Sequence, residues 1–448
     1  GTGLLIFTNT VKVWRRNTRG DYWLLDLKTA AFRKLGGTTA ESKMMFAKLS
    51  PDGAKVAWVN FDDKDLYVQD IESLAVARLT HDDGRHIING TSDWVYEEEF
   101  DLRDGFRWSP DGRHIAYWQF DSEGVGTFNL INNTDSIYPK LTPIPYPKVG
   151  TTNSACRIGV IPAAGGATTW FEPEGDPRMH YIPKMGWADS SQEIWLIQLN
   201  RLQNTAHMML GDISDGTLRT VFEDRDDAWI DLHDDPLWLE GGRFFTWLSE
   251  RDGWRHLYLV ARDGSGVRLV TAGDYDVTEL AKIDARGGWA YFLASPDDPT
   301  CRYLYRAPLD GSGGLERVTP AGPPGTHTYQ ISEGARWAIH GFSSRERVPR
   351  TDLVSLPDHE VRRVLEDNDR VQTAFDALAK DPTATFRVAI SDDVEVDGWM
   401  VTPPDLDPSM TYPLLIYVYG EPWTQTVKNS WGRGRHLWFL LLAQRGYL

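Results

Sequence analysis

Ser50-Pro51-Asp52-Gly53 leads into Val56-Ala57-Trp58-Val59, and the phrase returns as Ser109-Pro110-Asp111-Gly112 ahead of Ile115-Ala116-Tyr117-Trp118. Proline presets the backbone of a turn, aspartate bonds neighbouring backbone, and glycine accepts a positive φ. The β-branched and aromatic run behind each turn predicts a strand. Weaker copies follow along the chain. Trp187-Ala188-Asp189-Ser190 precedes Ile194–Ile197, and Leu239-Glu240-Gly241-Gly242 precedes Phe244–Trp247. Asp284-Ala285-Arg286-Gly287 precedes Trp289–Phe292, and Ser332-Glu333-Gly334 precedes Trp337-Ala338-Ile339. Asp65–Val68 and His256–Leu259 read as the next strand of their units. Repeats of roughly 40 to 60 residues, each carrying several short strands, are the pattern of a β-propeller. A β-sandwich would need shorter and more even spacing. The expected class is mainly β.

The pattern changes after Glu366. Val371 to Lys380 has helical spacing, and Phe386–Ile390 with Gly398–Val401 reads as a hairpin around Asp392-Asp393. Pro413-Leu414-Leu415-Ile416-Tyr417-Val418-Tyr419 is a continuous apolar run, which suits a strand buried on both faces of an α/β sheet. His436 to Gln444 is expected to be the helix that follows it. The expected organisation is a propeller over 1–383 and an α/β domain that begins at 384–448.

With 448 residues, two domains are the natural expectation. A composition of 41% hydrophobic and 25% charged residues is that of a soluble globular protein. The net charge of -17 argues against nucleic acid and anionic membrane as partners, both of which demand basic patches. Cys156 and Cys301 are too few for a disulfide framework or a zinc-ligand set, and whether they pair stays open. The eleven histidines show no ligand-like spacing, with His81, His86 and His233 read as loop residues, and no metal or cofactor is expected. The apolar run Leu437 to Ala443 is far below the roughly 20 residues that a membrane span needs. No signal peptide is visible, and both ends read as cut, so the chain is expected to be a segment of something longer. The compartment is not readable, with a periplasmic or secreted location favoured over the cytoplasm. Asn89-Gly90-Thr91 and Asn132-Asn133-Thr134 fit the glycosylation pattern, a common triplet.

The chemistry concentrates in Asp93-Trp94-Val95-Tyr96-Glu97-Glu98-Glu99. Aromatics draw such a segment toward a packed site, where crowded carboxylates raise one another's pKa unless a cation sits between them. An ammonium group is the natural cation, which makes Glu98 and Glu99 candidate ligands for the free N-terminus of a peptide. Trp94 and Tyr96 are expected to pack and hold the loop.

That heptapeptide, with Trp108–Gly112, Tyr146-Pro147-Lys148, Val13-Trp14-Arg15, and Tyr412–Leu415 leading to Val418-Tyr419-Gly420, resembles the dipeptidyl peptidase IV family of serine peptidases. The resemblance implies an eight-bladed propeller followed by the first strands of an α/β-hydrolase domain. It also implies an exopeptidase that releases N-terminal dipeptides, with Pro or Ala preferred next to the cut, and often a homodimer. Carried over by position, Glu98 and Glu99 resemble the pair that binds the substrate's ammonium. Arg15 resembles the arginine that braces them and contacts the substrate carbonyl. Tyr419 resembles the tyrosine that helps form the oxyanion hole.

The nucleophile elbow Gly-x-Ser-x-Gly is absent. Gly341-Phe342-Ser343-Ser344-Arg345 comes nearest and fails at its last position, so the chain lacks the Ser-Asp-His triad. Glu421 stands where the family usually has a small residue. No segment around Trp229 to Pro236 matches the aromatic-plus-arginine stretch that extends the family's substrate pocket. A catalytically silent propeller that binds protein partners is the competing expectation.

Overall fold

In a computed structural model of the chain, residues 3–82, 85–232, 234–392, 394–420 and 424–448 are described; His233, Asp393 and Glu421 lie outside them. The two best turn repeats fold by one local chemistry. The Ser50 hydroxyl donates to Asp52 at 2.6 Å and accepts the Lys55 N–H at 2.9 Å, while Gly53 N–H returns to the Ser50 carbonyl at 2.8 Å. The Ser109 hydroxyl donates to Asp111 at 2.6 Å and accepts the His114 N–H at 2.9 Å. Gly53 and Gly112 take φ of +73° and +68°, the left-handed region that a Cβ disfavours. Each turn thus closes on its own side chains before any distant contact forms.

All six strands expected behind these turns are present: Lys55–Asn60, His114–Asp121, Glu193–Asn200, Phe244–Ser249, Trp289–Ala294 and Trp337–Ser343. Each lies inside an antiparallel sheet, and four of the sheets have four strands in plain sequence order, the meander of a propeller blade. The first sheet is larger: the hairpin of Gly3–Val13 and Arg16–Asp26 joins the four strands that begin at Met44–Leu49. A separate two-stranded hairpin, Thr127–Asn132 with Lys140–Pro145, presents Ile131, Ile137 and Tyr138 to solvent. The fold is mainly β and of propeller type.

By contacts the chain divides into two compact units, Gly1–Phe245 with Ala261–Ser265, and Thr246–Val260 with Gly266–Leu448. In the first, Trp118, Phe120, Ile158, Phe171 and Leu196 form a dry core around Tyr96. Trp118 satisfies its buried indole N–H on the Ile182 carbonyl at 2.7 Å, as a buried tryptophan must. In the second, Leu293, Leu304, Ala338 and Val354 fill the centre of a smaller core.

Beyond residue 366 the expectations hold in part. Helix α2 (Asp369–Asp376), the hairpin Ala384–Ser391 with Val394–Met400, and helix α3 (Arg433–Ala443) are present. The apolar run Pro413–Tyr419 is not a strand: Leu414 and Ile416 are exposed, and its described backbone partner is Leu448 alone. An apolar run makes a buried strand only when neighbouring strands satisfy its N–H and C=O groups. Cys156 and Cys301 are both buried and free. Asn89 is fully buried against Asp65 and Asp82, so this triplet is no glycosylation site.

Candidate functional site

Within the first unit the acidic heptapeptide folds as α1 (Trp94–Glu99), a six-residue helix. Asp93 is its N-cap, accepting the Tyr96 N–H at 2.9 Å, which satisfies one of the orphan donors of a helix start. Burial pushes the Asp93 carboxyl up, and the capping bond opposes that shift. Tyr96 is 2% exposed, and its hydroxyl accepts the Ile182 N–H at 2.8 Å. Trp94 packs at a tilt against Tyr146, with ring centroids 4.2 Å apart and planes 45° from parallel. Both aromatics anchor α1, as expected from sequence.

The three glutamates then diverge, because successive helical positions point about 100° apart. Glu97 turns back to Arg103 at 3.0 Å, and burial raises its pKa against that arginine's pull. Arg103 also pairs with Asp101. Glu98 pairs with Arg15, 83 residues away in sequence. Glu99 makes no ion pair or side-chain hydrogen bond among the described residues.

Arg15 reaches Glu98 from the tip of the first hairpin. Val13 pairs directly with Arg16, so Trp14 and Arg15 form a two-residue turn. Trp14 carries φ of +52°, as at the first position of a II′ turn, where glycine is usual. The tight turn fixes the direction in which Arg15 projects. Two of the three predicted members are thereby brought together, and the third lies one residue further along the same helix.

The expected water-poor pocket is not what surrounds them. Glu99 is exposed, and the side chains of Arg15 and Glu98 are 73% and 29% exposed, because α1 is under two turns long and spends its buried face on Tyr96. Sequence reasoning missed Arg103, whose commitment to Glu97 decides which acids stay available. Its signal was an arginine just past the acidic run.

Tyr419 belongs to the second unit. It is 46% exposed and lines a cavity of about 570 Å³ with Arg345, Lys428, Arg435 and His436. Ser343, nearest to an elbow serine by sequence, ends a paired strand and is no strand-to-helix nucleophile.

These features define a mainly β, propeller-type protein with an arginine-braced acidic helix. The family model described as the dipeptidyl peptidase IV (DPP IV) N-terminal region matches residues 1–349, and the chain belongs to that family. It is 26% identical over 460 residues to a probable dipeptidyl-aminopeptidase B of Uncinocarpus reesii, covering 95% of this chain and 49% of that protein. It is 25% identical to a probable dipeptidyl peptidase 4 of Aspergillus fumigatus, covering 96% of this chain and 57% of that one. The crystal structure of Porphyromonas gingivalis dipeptidyl peptidase 4 superposes with a TM-score of 0.91 at 26% identity, over 100% of this chain and 62% of that chain. The chain spans about half the length of the curated relatives it matches.

Proposed function

We propose that this chain serves a serine exopeptidase that removes dipeptides from peptides with a free N-terminus, with a preference for Pro or Ala before the cut. In this reading residues 1–383 are the propeller and 384–448 the start of the hydrolase domain. The observation that carries it is the sorting on α1: Glu97 is committed to Arg103, Glu98 is braced by Arg15, and Glu99 beside it has no side-chain partner among the described residues. Two carboxylates and a guanidinium leave one negative charge, which a substrate ammonium neutralises through charge-assisted hydrogen bonds. Acetylating the amine removes both its charge and its donors, and the acids are then left without their partner. The site thereby measures distance from the N-terminus. The Tyr419 hydroxyl donates to the oxyanion that develops at the scissile carbonyl.

The test is kinetic and uses the full-length protein. It should cleave a free-amine Xaa-Pro reporter and discriminate strongly against the N-acetylated form. If Glu98→Gln with Glu99→Gln leaves that discrimination intact, the amine assignment is wrong.

A further inference from the structure

A row of aromatic rings runs up to the Arg15–Glu98 pair, and every member of it belongs to the first unit. Its first member is Trp94. In a helix, residues four apart share a face with Cβ atoms about 5–6 Å apart, and side chains lean toward the N-terminal end. The Glu98 carboxylate therefore leans over the turn of α1 that carries Trp94.

The row continues onto the separate hairpin. Trp94 packs against Tyr146 at 4.2 Å, and Tyr146 against Phe128 at 5.4 Å, centroid to centroid. Phe128 lies in the strand Thr127–Asn132, and the Tyr146 N–H closes the hairpin base on the Gly126 carbonyl at 2.8 Å. Phe128 is 41% exposed, and Trp94 and Tyr146 are partly buried, so the row keeps open ring surface.

A fourth ring comes from the other side of the ion pair. Trp14 precedes Arg15 in the two-residue turn and is 40% exposed. A bulky residue with φ of +52° is an outlier, and such outliers concentrate where the side chain they present is used. Glycine would make the same turn without strain, so the turn alone does not account for a tryptophan there.

We propose that Trp14, Trp94, Tyr146 and Phe128 form a subsite for the side chain of the substrate's N-terminal residue, favouring large apolar and aromatic groups. The inference rests on the peptidase reading above, in which Glu98 and Glu99 hold the substrate's ammonium. Charge complementarity then fixes the occupant. The first Cα carries three heavy groups: the ammonium nitrogen, the carbonyl carbon and the side chain. The nitrogen, about 1.46 Å from that Cα, is held by the acids. The carbonyl leads on toward the scissile bond. The side chain is the group left to meet the rings, and a benzyl group spans the one-turn offset between Glu98 and Trp94. Rings already packed on one another give apolar contact with little loss of side-chain freedom. A glycine in first position leaves those ring faces to water.

The test compares kcat/KM for Phe-Pro and Gly-Pro reporters on the full-length protein. Phe-Pro should be favoured about tenfold, mostly through a lower KM, the size of one good ring contact. Trp14→Gly suits the positive φ and keeps the turn that aims Arg15, and it should cut the preference to about threefold. Trp94→Leu should cut it similarly, and Phe128→Ala by less, since Tyr146 stands between Phe128 and Trp94. Should Trp94→Leu fail to fold, Trp14→Gly and Phe128→Ala alter exposed positions and give the same readout. Equal use of both reporters by the wild type overturns the subsite, as does a preference undiminished in the folded variants. Failure to cleave any free-amine reporter, or equal cleavage of N-acetylated ones, overturns the peptidase reading instead.

Discussion

Glu97, Glu98 and Glu99 are neighbours with one chemistry, and each is given a different task by what lies within reach. Arg103 takes the first, Arg15 takes the second, and the third faces solvent. Their anchor is Tyr96, whose hydroxyl accepts a buried N–H. Tyr96→Phe strands the Ile182 N–H away from water and should lower unfolding stability by about 1–3 kcal/mol in a denaturant titration. A change below a few tenths would show that the bond contributes nothing. Tyr419 carries the opposite signature, being 46% exposed and outside the core, so Tyr419→Phe leaves the core packing intact. Under the proposed function it should lower kcat by roughly 10²–10³, with KM little altered, the cost of losing one oxyanion donor. Equal kcat for both proteins would remove Tyr419 from the reaction.

At the level of elements, legibility followed how local the cause was. The Ser-Pro-Asp-Gly turns were readable because hydroxyl, carboxylate and glycine close the turn among themselves, and the strands behind them followed. The Pro413–Tyr419 run was not readable, since whether it pairs depends on segments remote in sequence. The place of Arg15 in a tight turn was not readable, because the two-residue turn at Trp14 depends on hairpin register, which composition does not encode. The histidine ladder of the last four-stranded sheet was also invisible to spacing. His327 Nδ1 and His340 Nε2 lie 2.9 Å apart and share one proton, while His359 Nε2 meets the Tyr329 hydroxyl at 2.8 Å. Burial, reinforced by the neighbouring histidines, pushes His327 down to about 3 and His340 down to about 4. Folded values below the unfolded one mean that the unfolded chain binds protons which the native chain refuses. Stability from the ladder is therefore complete above about pH 6.5 and declines as pH falls toward 4. Calorimetric melting between pH 7 and 5 should show that decline, and His340→Phe should flatten it. An unchanged slope would mean that other groups titrate there.

Across the whole molecule, 64 acids against 47 bases surround the site with negative potential. Such a field draws a cationic ligand before any contact forms, and salt weakens it, because the screening length shrinks from about 30 Å at 0.01 M to about 3 Å at 1 M. The exposure of Glu98 and Glu99 makes this term larger, since exposed charges act mainly through that screened field. A free-amine peptide should therefore lose kcat/KM steadily as ionic strength rises, while an N-acetylated peptide, already slow, should lose little. Part of the slope is general and part is local, and the two are separable. Replacing Glu98 and Glu99 by Gln removes two charges out of a net -17, so it barely changes the distant field yet empties the local anchor. The salt slope should then fall well beyond what two of seventeen charges would account for. If it falls only in that small proportion, the acidic surface as a whole does the steering and α1 is not where the ammonium is held.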